Sequence, residues 1–199
     1  MPEKSTLCRI HDAAMAEFSE KGFRSASLRK IVKKAGVTTG ALYGYFDSKE
    51  ALFDSLVAPQ YTYFMHEFSV QIGNFAKLPA QRTPCAENAC MCWITNFVYD
   101  HQDIFHLLLT GAEGTKYAHM VRDLVEIETQ AAHEFAENLR SSGIPVQPVD
   151  PVLEHMLISG LISSFFTLLL REIPKEQSLQ YAKQLEAFYA AGWQKLLGY

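Results

Sequence analysis

The stretch KGFRSASLRKIVKKAGVTTGALYGYF, residues 21–46, decides how the chain is interpreted. It contains six basic residues and no acidic one, and its apolar positions fit two short helices joined by a turn at Gly36. Small basic units of this kind are typical of helix-turn-helix proteins, which place their second helix in the major groove of DNA. The stretch therefore predicts a DNA-binding module.

Capping signals define the helices in and before this stretch. Apolar residues at helical spacing predict a first helix over residues 5–21, ending at Gly22. Ser27 is placed to cap a second helix, and Thr38 is placed to cap a third. The second helix keeps its lysines and arginine outside and its apolar residues inside.

The third predicted helix has two different faces. Thr39, Gly40, Tyr43 and Gly44 share one sector, and Leu42 and Phe46 share another. We expect the first sector to meet DNA and the second to hold the helix to its neighbours. The two glycines allow a close approach of the backbone to a groove, and the alternative is loose packing at a helix end.

A fourth helix follows directly. Asp47 and Glu50 form a capping-box pair for it, and we expect it to run to about Ile72. Pro59 lies inside this helix and removes one backbone hydrogen bond. The helix is therefore expected to be hinged there, or alternatively to stop and restart at Pro59.

The rest of the chain is predicted to be helical as well. Prolines mark residues 77–84 as a loop, and helices are expected over residues 85–99, 104–109, 117–140, 152–170 and 178–197. An alternating strand pattern is not visible anywhere in the sequence. The predicted fold is all-α with about nine helices.

Charge is divided unevenly along the chain. The net charge is −4 over 199 residues, but residues 1–58 hold nine Lys/Arg and seven Asp/Glu, so the excess of acid lies in the remainder. The longest apolar run, Met156 to Leu170, is judged too short and too polar to span a membrane. The N-terminus lacks a signal-peptide pattern, and four cysteines are taken as reduced thiols, so we expect a cytoplasmic protein.

A family resemblance rests on the basic stretch and its surroundings. The segment EKGF, followed by SLRKIVKKAGVTTGALYGYFDSKEALF, resembles the N-terminal domain of TetR/AcrR-type transcriptional regulators. The resemblance implies a DNA-binding domain over residues 1–47 and a helical effector-binding and dimerisation domain over residues 48–199. It also implies a homodimer on a pseudo-palindromic operator, and a repressor released by a small, largely hydrophobic effector. The alternative is a regulator of the same fold without a small-molecule effector.

The resemblance also implies which residues touch DNA. Thr39, Gly40, Ala41 and Tyr43 lie where the family's recognition helix meets the major groove, Arg29 can reach a base or phosphate, and Ser27, Thr38, Tyr45 and Lys49 lie where phosphates are held. Gly44 departs from the family, in which a large side chain is common at this position. Arg, Asn and Gln are absent from residues 37–46, so base readout must rest on hydroxyls, methyl contacts and a tyrosine ring.

The last two predicted helices offer a dimer interface. Its candidates are Leu153, Leu157, Gly160, Leu161, Ser164, Leu168, Leu185, Phe188, Ala191, Gly192 and Trp193. Two such helices from each subunit would form a four-helix bundle about a two-fold axis. A purely intramolecular core would produce the same pattern.

Aromatic residues in the middle of the chain suggest an effector pocket. The candidates are Tyr61, Phe64, Met65, Phe68, Met91, Trp93, Phe97 and Phe105, with Trp93 and Phe97 the foremost. A mostly apolar pocket would suit a hydrophobic or aromatic effector. The alternative for each residue is an ordinary place in the core.

Metal and catalytic sites are not expected. On a helix Cys90 and Cys92 point about 200° apart, which is unsuitable for gripping one ion, and His101 with His106 is a poor ligand pair. The sequence has no HExxH, P-loop, GxGxxG or nucleophile-base motif. We therefore expect no cofactor, no metal and no enzymatic activity.

Overall fold

The computed structural model describes residues 5–76 and 89–198. Its helices are α1 Thr6–Ser25, α2 Leu28–Ala35, α3 Thr39–Tyr43, α4 Lys49–Ala76, α5 Ala89–Asp100, α6 Gln102–Thr110, α7 Met120–Ser141, α8 Pro151–Leu170 and α9 Lys175–Leu197. Within these residues there are nine helices and no strand, which confirms the all-α prediction. The loop predicted at residues 77–84, and Cys85, lie outside the described residues.

Two glycines shape the first three helices as expected. Gly22 interrupts α1 with φ 71° and ψ 164°, and a short continuation runs to Ser25. Gly36 ends α2 in the left-handed region, with φ 64° and ψ 37°. The Thr38 hydroxyl accepts a hydrogen bond from Ala41 N at 3.1 Å, which confirms the predicted cap of α3.

Two predicted caps were wrong in detail. Ser27 occupies the N-cap position of α2, but its side chain makes no capping bond. Instead Ser27 N donates to the Glu17 carboxylate of α1 at 3.1 Å, which satisfies an orphan donor and places negative charge at the positive end of α2. At α4 the cap is Ser48, not Asp47: Ser48 Oγ accepts from Ala51 N at 3.0 Å.

Helix α4 runs without a break through Pro59. The alternative of a helix that stops and restarts there was therefore wrong. The helix also extends past Ile72 to Ala76. Because proline lacks an N–H, the carbonyl four residues earlier is left without its usual helical partner.

Two other helices begin at residues that differ from the prediction. Tyr117 N donates to Thr115 Oγ1 at 3.1 Å in a turn, so α7 starts only at Met120. Helix α9 starts at Lys175, directly after Pro174, and Ser178 N already donates to Pro174 O at 2.9 Å in its first turn.

The chain divides into two compact units. The first comprises the residues through Tyr63 together with Asp103–Met120, and the second comprises Phe64–Gln102 and Val121–Tyr199. Helix α4 contributes to both units. The functional division at residues 47 and 48 concerns activity and stays a prediction.

The first unit has an aromatic core. Phe53 packs edge-on against Phe18, with ring centroids 5.1 Å apart, and against Phe23 at 5.3 Å. Tyr117, which follows α6, lies 6.1 Å from Phe53. Leu42 from α3 is 1% exposed, so the short third helix is fixed in place by a single buried side chain.

The second unit is stabilised by apolar packing, hydrogen bonds and an ion pair. Helix α5 packs against α9, and Tyr99 OH donates to Ile173 O at 2.7 Å. Lys175 Nζ lies 2.7 Å from Asp100 Oδ1. Helix α8 contributes Phe165, Phe166 and Leu169 to the core.

Helix α8 is the one described helix that is long and apolar enough to cross a membrane, by length and composition alone. It has 20 residues, so the length argument made from Met156 to Leu170 was wrong. Only 28% of the most apolar 18-residue segment of α8 is buried. Core helices pass the same test, and the exposed part of α8 is a separate feature described below.

Candidate nucleic-acid interface and ligand cavity

Helix α3 presents a small, mostly uncharged surface. Thr39, Gly40 and Tyr43 are exposed, and the Tyr43 side chain retains 50% of its accessible surface. The opposite face carries Leu42, which is buried. The structure thus brings the predicted base-reading positions onto one exposed surface, while Ala41 is only partly exposed.

Helix α2 adds positive charge beside α3. Arg29, Lys30, Lys33 and Lys34 are all exposed, whereas Ile31, Val32 and Ala35 are buried. Such a row of cations can neutralise several phosphates without reading bases. Of the other predicted DNA contacts, Thr38 and Tyr45 are exposed and Ser27 is partly exposed.

Lys49 makes contacts that its sequence position did not suggest. Its ammonium donates to the carbonyl oxygens of Arg24 and Ala26, each at 3.2 Å. It also lies over the ring of Phe23, 4.7 Å from the centroid. An ammonium has three N–H donors, so one remains for a phosphate while two secure the connection between α1 and α2.

The segment after α6 is tied to α1 within the first unit. Phe23 N donates to Gly111 O at 2.7 Å, and Arg24 Nη1 donates to Glu113 Oε1 at 2.7 Å. A Cβ at Gly111 would lie 2.7 Å from Leu107 Cδ1, 3.2 Å from Leu107 O and 3.3 Å from Phe18 O, so a larger residue would require the Leu107 side chain and the backbone to shift. Sequence reasoning missed this contact because its partners are nearly 90 residues apart.

The second unit contains a cavity of about 370 Å³. Of the predicted pocket residues, Phe64, Phe68 and Met91 line it. Its remaining walls come mostly from α7, α8 and α9, with further residues from α4, α5 and the segment before α8. They are largely apolar and include Leu124, Phe135, Ile158, Ile162, Phe165, Phe166, Tyr189 and Leu197. The volume lies within the range of roughly 300 to 1,000 Å³ that is typical of small-molecule sites.

The other predicted pocket residues lie elsewhere. Trp93 and Phe97 stack on one another with ring centroids 5.8 Å apart and do not line the cavity. Met65 is also absent from its walls. Tyr61 packs edge-on against Tyr117 at 4.8 Å in the first unit, and Phe105 is fully buried in that unit.

Two residues predicted for the dimer interface also line the cavity. Leu161 on α8 and Trp193 on α9 form part of its wall. This placement was not predictable from the sequence, because helical periodicity identifies an apolar face but not the space toward which it turns.

Three glutamates also line the cavity: Glu128, Glu186 and Glu154, the last of which is paired with His133. Burial raises the pKa of Glu128 on α7 to about 7, and burial also raises the pKa of Glu186 on α9. Burial, with these two carboxylates nearby, raises the pKa of the Cys90 thiol to about 12. Cys90 is thus an unreactive thiol at neutral pH, and the Glu186 Oε2 atom is buried without a hydrogen-bond partner.

The remaining charged side chains of the cavity wall are paired. His133 Nε2 lies 2.7 Å from Glu154 Oε2, and Arg140 Nη1 lies 3.3 Å from Glu137 Oε2. Among the described residues, no group of three or more His, Cys, Asp and Glu side chains is arranged to hold a metal ion.

Helices α8 and α9 expose an apolar face in the isolated chain. Val152 is 69% exposed, Met156 65% and Phe188 73%. All of the predicted interface residues are exposed or partly exposed: Leu153, Leu157, Gly160, Leu161, Ser164, Leu168, Leu185, Phe188, Ala191, Gly192 and Trp193. Ser164, Leu168 and Leu185 also border a shallow groove between the two helices.

Comparison with known proteins agrees with the helix-turn-helix geometry. Residues 10–56 match the family model of bacterial regulatory proteins of the tetR family. The HTH-type transcriptional regulator UidR of Escherichia coli strain K12 is 46% identical over 52 residues, which is 26% of this chain and 26% of that protein. The sequence match to this relative therefore spans about a quarter of each protein.

Solved structures share the fold over nearly the whole chain. A TetR-like transcriptional regulator from Rhodococcus sp. RHA1 has a TM-score of 0.62 at 19% identity and covers 96% of this chain and 99% of its own. FadR from Bacillus subtilis, in complex with stearoyl-CoA, has a TM-score of 0.52 at 19% identity and covers 93% and 98%. Residues 10–56 thus match the tetR family of bacterial regulatory proteins, and solved TetR-type regulators share the helical fold of the rest of the chain.

Proposed function

We propose that the protein is a cytoplasmic transcriptional repressor that binds a pseudo-palindromic operator as a homodimer and is released by a small, largely apolar effector. The observation that carries the DNA-binding role is the exposed face of α3 beside the exposed cations of α2. Thr39, Gly40 and Tyr43 would meet base edges, while Arg29 and its neighbours on α2 would position the helix on phosphates.

The homodimer is supported by the exposed apolar face of α8 and α9. Leu153, Met156 and Phe188 are too exposed for a stable isolated surface of this extent. A second copy of the same face would bury them about a two-fold axis. A second subunit also fits the exposed face of α8 better than a membrane does, because the other face of α8 packs Phe165 and Phe166 into the core of the second unit.

The effector role is supported by the cavity in the second unit. A ligand changes DNA affinity only if it binds one arrangement of the protein more tightly than another. The coupling free energy between effector binding and a second binding site is typically about 1 to 3 kcal/mol in allosteric proteins. Helix α4 belongs to both units, and it is one of three places, with residues 102–103 and 120–121, where the chain passes from one unit to the other.

Selection of bound DNA from a random pool tests the proposal directly. We expect an enriched palindrome with half-sites about one helical turn apart. Tyr43→Ala should weaken operator binding by about tenfold or more, because it removes a side chain aimed at the bases. Tyr63→Ala, which truncates an exposed tyrosine of α4, is the matched control and should leave affinity unchanged. Selection that yields no preferred sequence contradicts the operator proposal.

The dimer is tested by sedimentation of Phe188→Glu. A charge on this exposed side chain should convert the dimer to monomer and weaken operator binding, since a single half-site holds only one recognition helix. Glu172→Gln also changes the charge by one unit, at an exposed position just after α8, and serves as control. A dimer that persists in Phe188→Glu excludes this face as the interface.

A further inference from the structure

The cavity of the second unit holds more negative charge than positive. Glu128 enters it from α7 and Glu186 from α9. Among the described residues neither carboxylate has a cationic partner, and Glu186 Oε2 is buried without any hydrogen bond. A buried, unsatisfied carboxylate oxygen is unfavourable and marks a place that a ligand can complete.

The cations of the cavity wall do not offset this charge. His133 is paired with Glu154, and Arg140 is paired with Glu137. Glu128 and Glu186 therefore face a space whose other walls are mostly aromatic and aliphatic. The paired side chains of His133, Glu154 and Arg140 are also among its lining residues. A ligand in that space is surrounded by hydrocarbon and two acceptor groups on different helices.

We propose that this cavity binds an apolar molecule carrying a protonated amine, whose N–H groups donate to Glu128 and Glu186. The inference rests on the effector role proposed above and specifies the class of effector. The apolar part would lie against Phe64, Phe68 and Trp193.

The energetics favour a cation over a neutral or acidic group. Hydrogen bonds between charged groups are stronger than neutral ones, and an ammonium supplies the counter-charge that the two carboxylates lack. Burial raises the pKa of both acids, and the Glu128 pKa of about 7 allows protonation to relieve part of the same deficit in the ligand-free protein. A bound ammonium would displace that proton.

The test compares three probes of equal chain length: decylamine, 1-decanol and decanoate. At neutral pH the amine is cationic and decanoate is anionic. Tryptophan fluorescence reports binding, because Trp193 lines the cavity. The chain has two tryptophans, so in the Trp93→Phe variant Trp193 is the single tryptophan and reports on the cavity alone. We expect decylamine to bind about tenfold or more tightly than decanol, and decanoate to bind most weakly.

Substitutions of the two acids identify the source of that preference. Glu128→Gln and Glu186→Gln each keep the side-chain shape and remove one charge, so each should reduce the preference for amine over alcohol. Glu126→Gln is the matched control on the same helix, because its side chain is 71% exposed. It should leave all three affinities unchanged. Circular dichroism checks that each variant is folded. Because Glu128→Gln and Glu186→Gln are tested separately, the inference can still be tested if one of them does not fold.

Several results would overturn the inference. These are equal binding of amine and alcohol, tighter binding of decanoate, a preference that survives both Gln variants, or no binding of decylamine below its micellar concentration. Selection of operator DNA is a separate measurement, so these outcomes leave DNA binding intact. Conversely, a protein that prefers decylamine in the predicted way but keeps its operator at saturating amine supports the ligand class and contradicts effector release.

Discussion

The two units fill their cores in opposite ways. In the first unit Phe18, Phe23 and Phe53 meet edge to face or stacked, and the apolar space is closed by the chain itself. In the second unit a comparable set of aromatic residues surrounds a cavity of about 370 Å³. The difference matches the two tasks proposed above, which are to hold a DNA-binding surface in a fixed shape and to leave room for an effector.

The closed core suits the small recognition surface. Helix α3 is five residues long and has Leu42 as its buried anchor, so its position depends on the elements around it. An isolated helix of this length would not persist in water. Rigidity in the first unit is therefore a requirement for DNA recognition, whereas the second unit can accept looser packing.

The largest effect is expected from Phe53→Ala. Phe53 is 0% exposed and touches rings from α1 and from the segment after α6. Its truncation should lower the free energy of unfolding by about 3 to 5 kcal/mol. Phe165→Ala, in the wall of the cavity, should fall at the low end of that range because the ring has fewer neighbours to lose. Urea unfolding of both variants measures this, and a larger loss for Phe165 would contradict the contrast between the units.

The next effect concerns pH and is specific to the second unit. The pKa of Glu128 is about 7 in the folded protein and 4.5 as a model value. Between these values the folded state binds a proton that the unfolded state does not, so stability falls as pH rises. The fall attributable to Glu128 is about 3 kcal/mol. Glu128→Gln should flatten the dependence, while the slope from Glu186, which has the same sign, remains.

Denaturation at several pH values from about 5 to 8 checks this expectation. Glu126→Gln, on the same helix but exposed, should retain the full dependence. If Glu128→Gln and the unmodified protein show parallel curves, the carboxyl of Glu128 is not held in a desolvated site.

The local part of the fold was predictable from sequence. Gly36, Thr38 and the apolar faces of the first helices act through neighbours three or four residues away, and these predictions were confirmed. Errors arose where a group other than the expected one satisfies the start of a helix. Glu17 satisfies the start of α2 in place of the Ser27 side chain, and Ser48 caps α4 one residue later than Asp47 would.

The cavity was the least predictable feature. Trp93 and Trp193 both lie on apolar helix faces, yet only Trp193 turns toward the open space. Periodicity tells which side of a helix is buried and says nothing about whether the opposing surface closes on it. The two acids were missed for the same reason, since Glu128 belongs to a helix with many exposed carboxylates.

A pair of enlarging substitutions sharpens the contrast further. Ala14→Leu inserts a side chain at a position that is 0% exposed in the first unit, where overpacking should cost about 1 to 3 kcal/mol. Ala132→Leu projects into the cavity of the second unit and should be neutral or stabilise by about 0.5 to 1 kcal/mol. Thermal unfolding ranks the two. The cavity substitution should also weaken decylamine binding, and equal destabilisation by both would show that the second core is as closed as the first.

The smallest effect separates two kinds of lysine in the first unit. Lys33 is exposed on α2, so Lys33→Ala should leave stability within about 0.5 kcal/mol and act only on DNA. Lys49 holds the carbonyls of Arg24 and Ala26, so Lys49→Ala should lower stability by about 1 kcal/mol. If its third donor also meets a phosphate, the slope of log affinity against log salt should shrink by roughly 0.9 per lost contact in each subunit. An unchanged slope with reduced stability would remove Lys49 from the DNA contacts. It would leave Lys49 as the residue that positions the start of α2, whose cations would then supply the electrostatic part of binding.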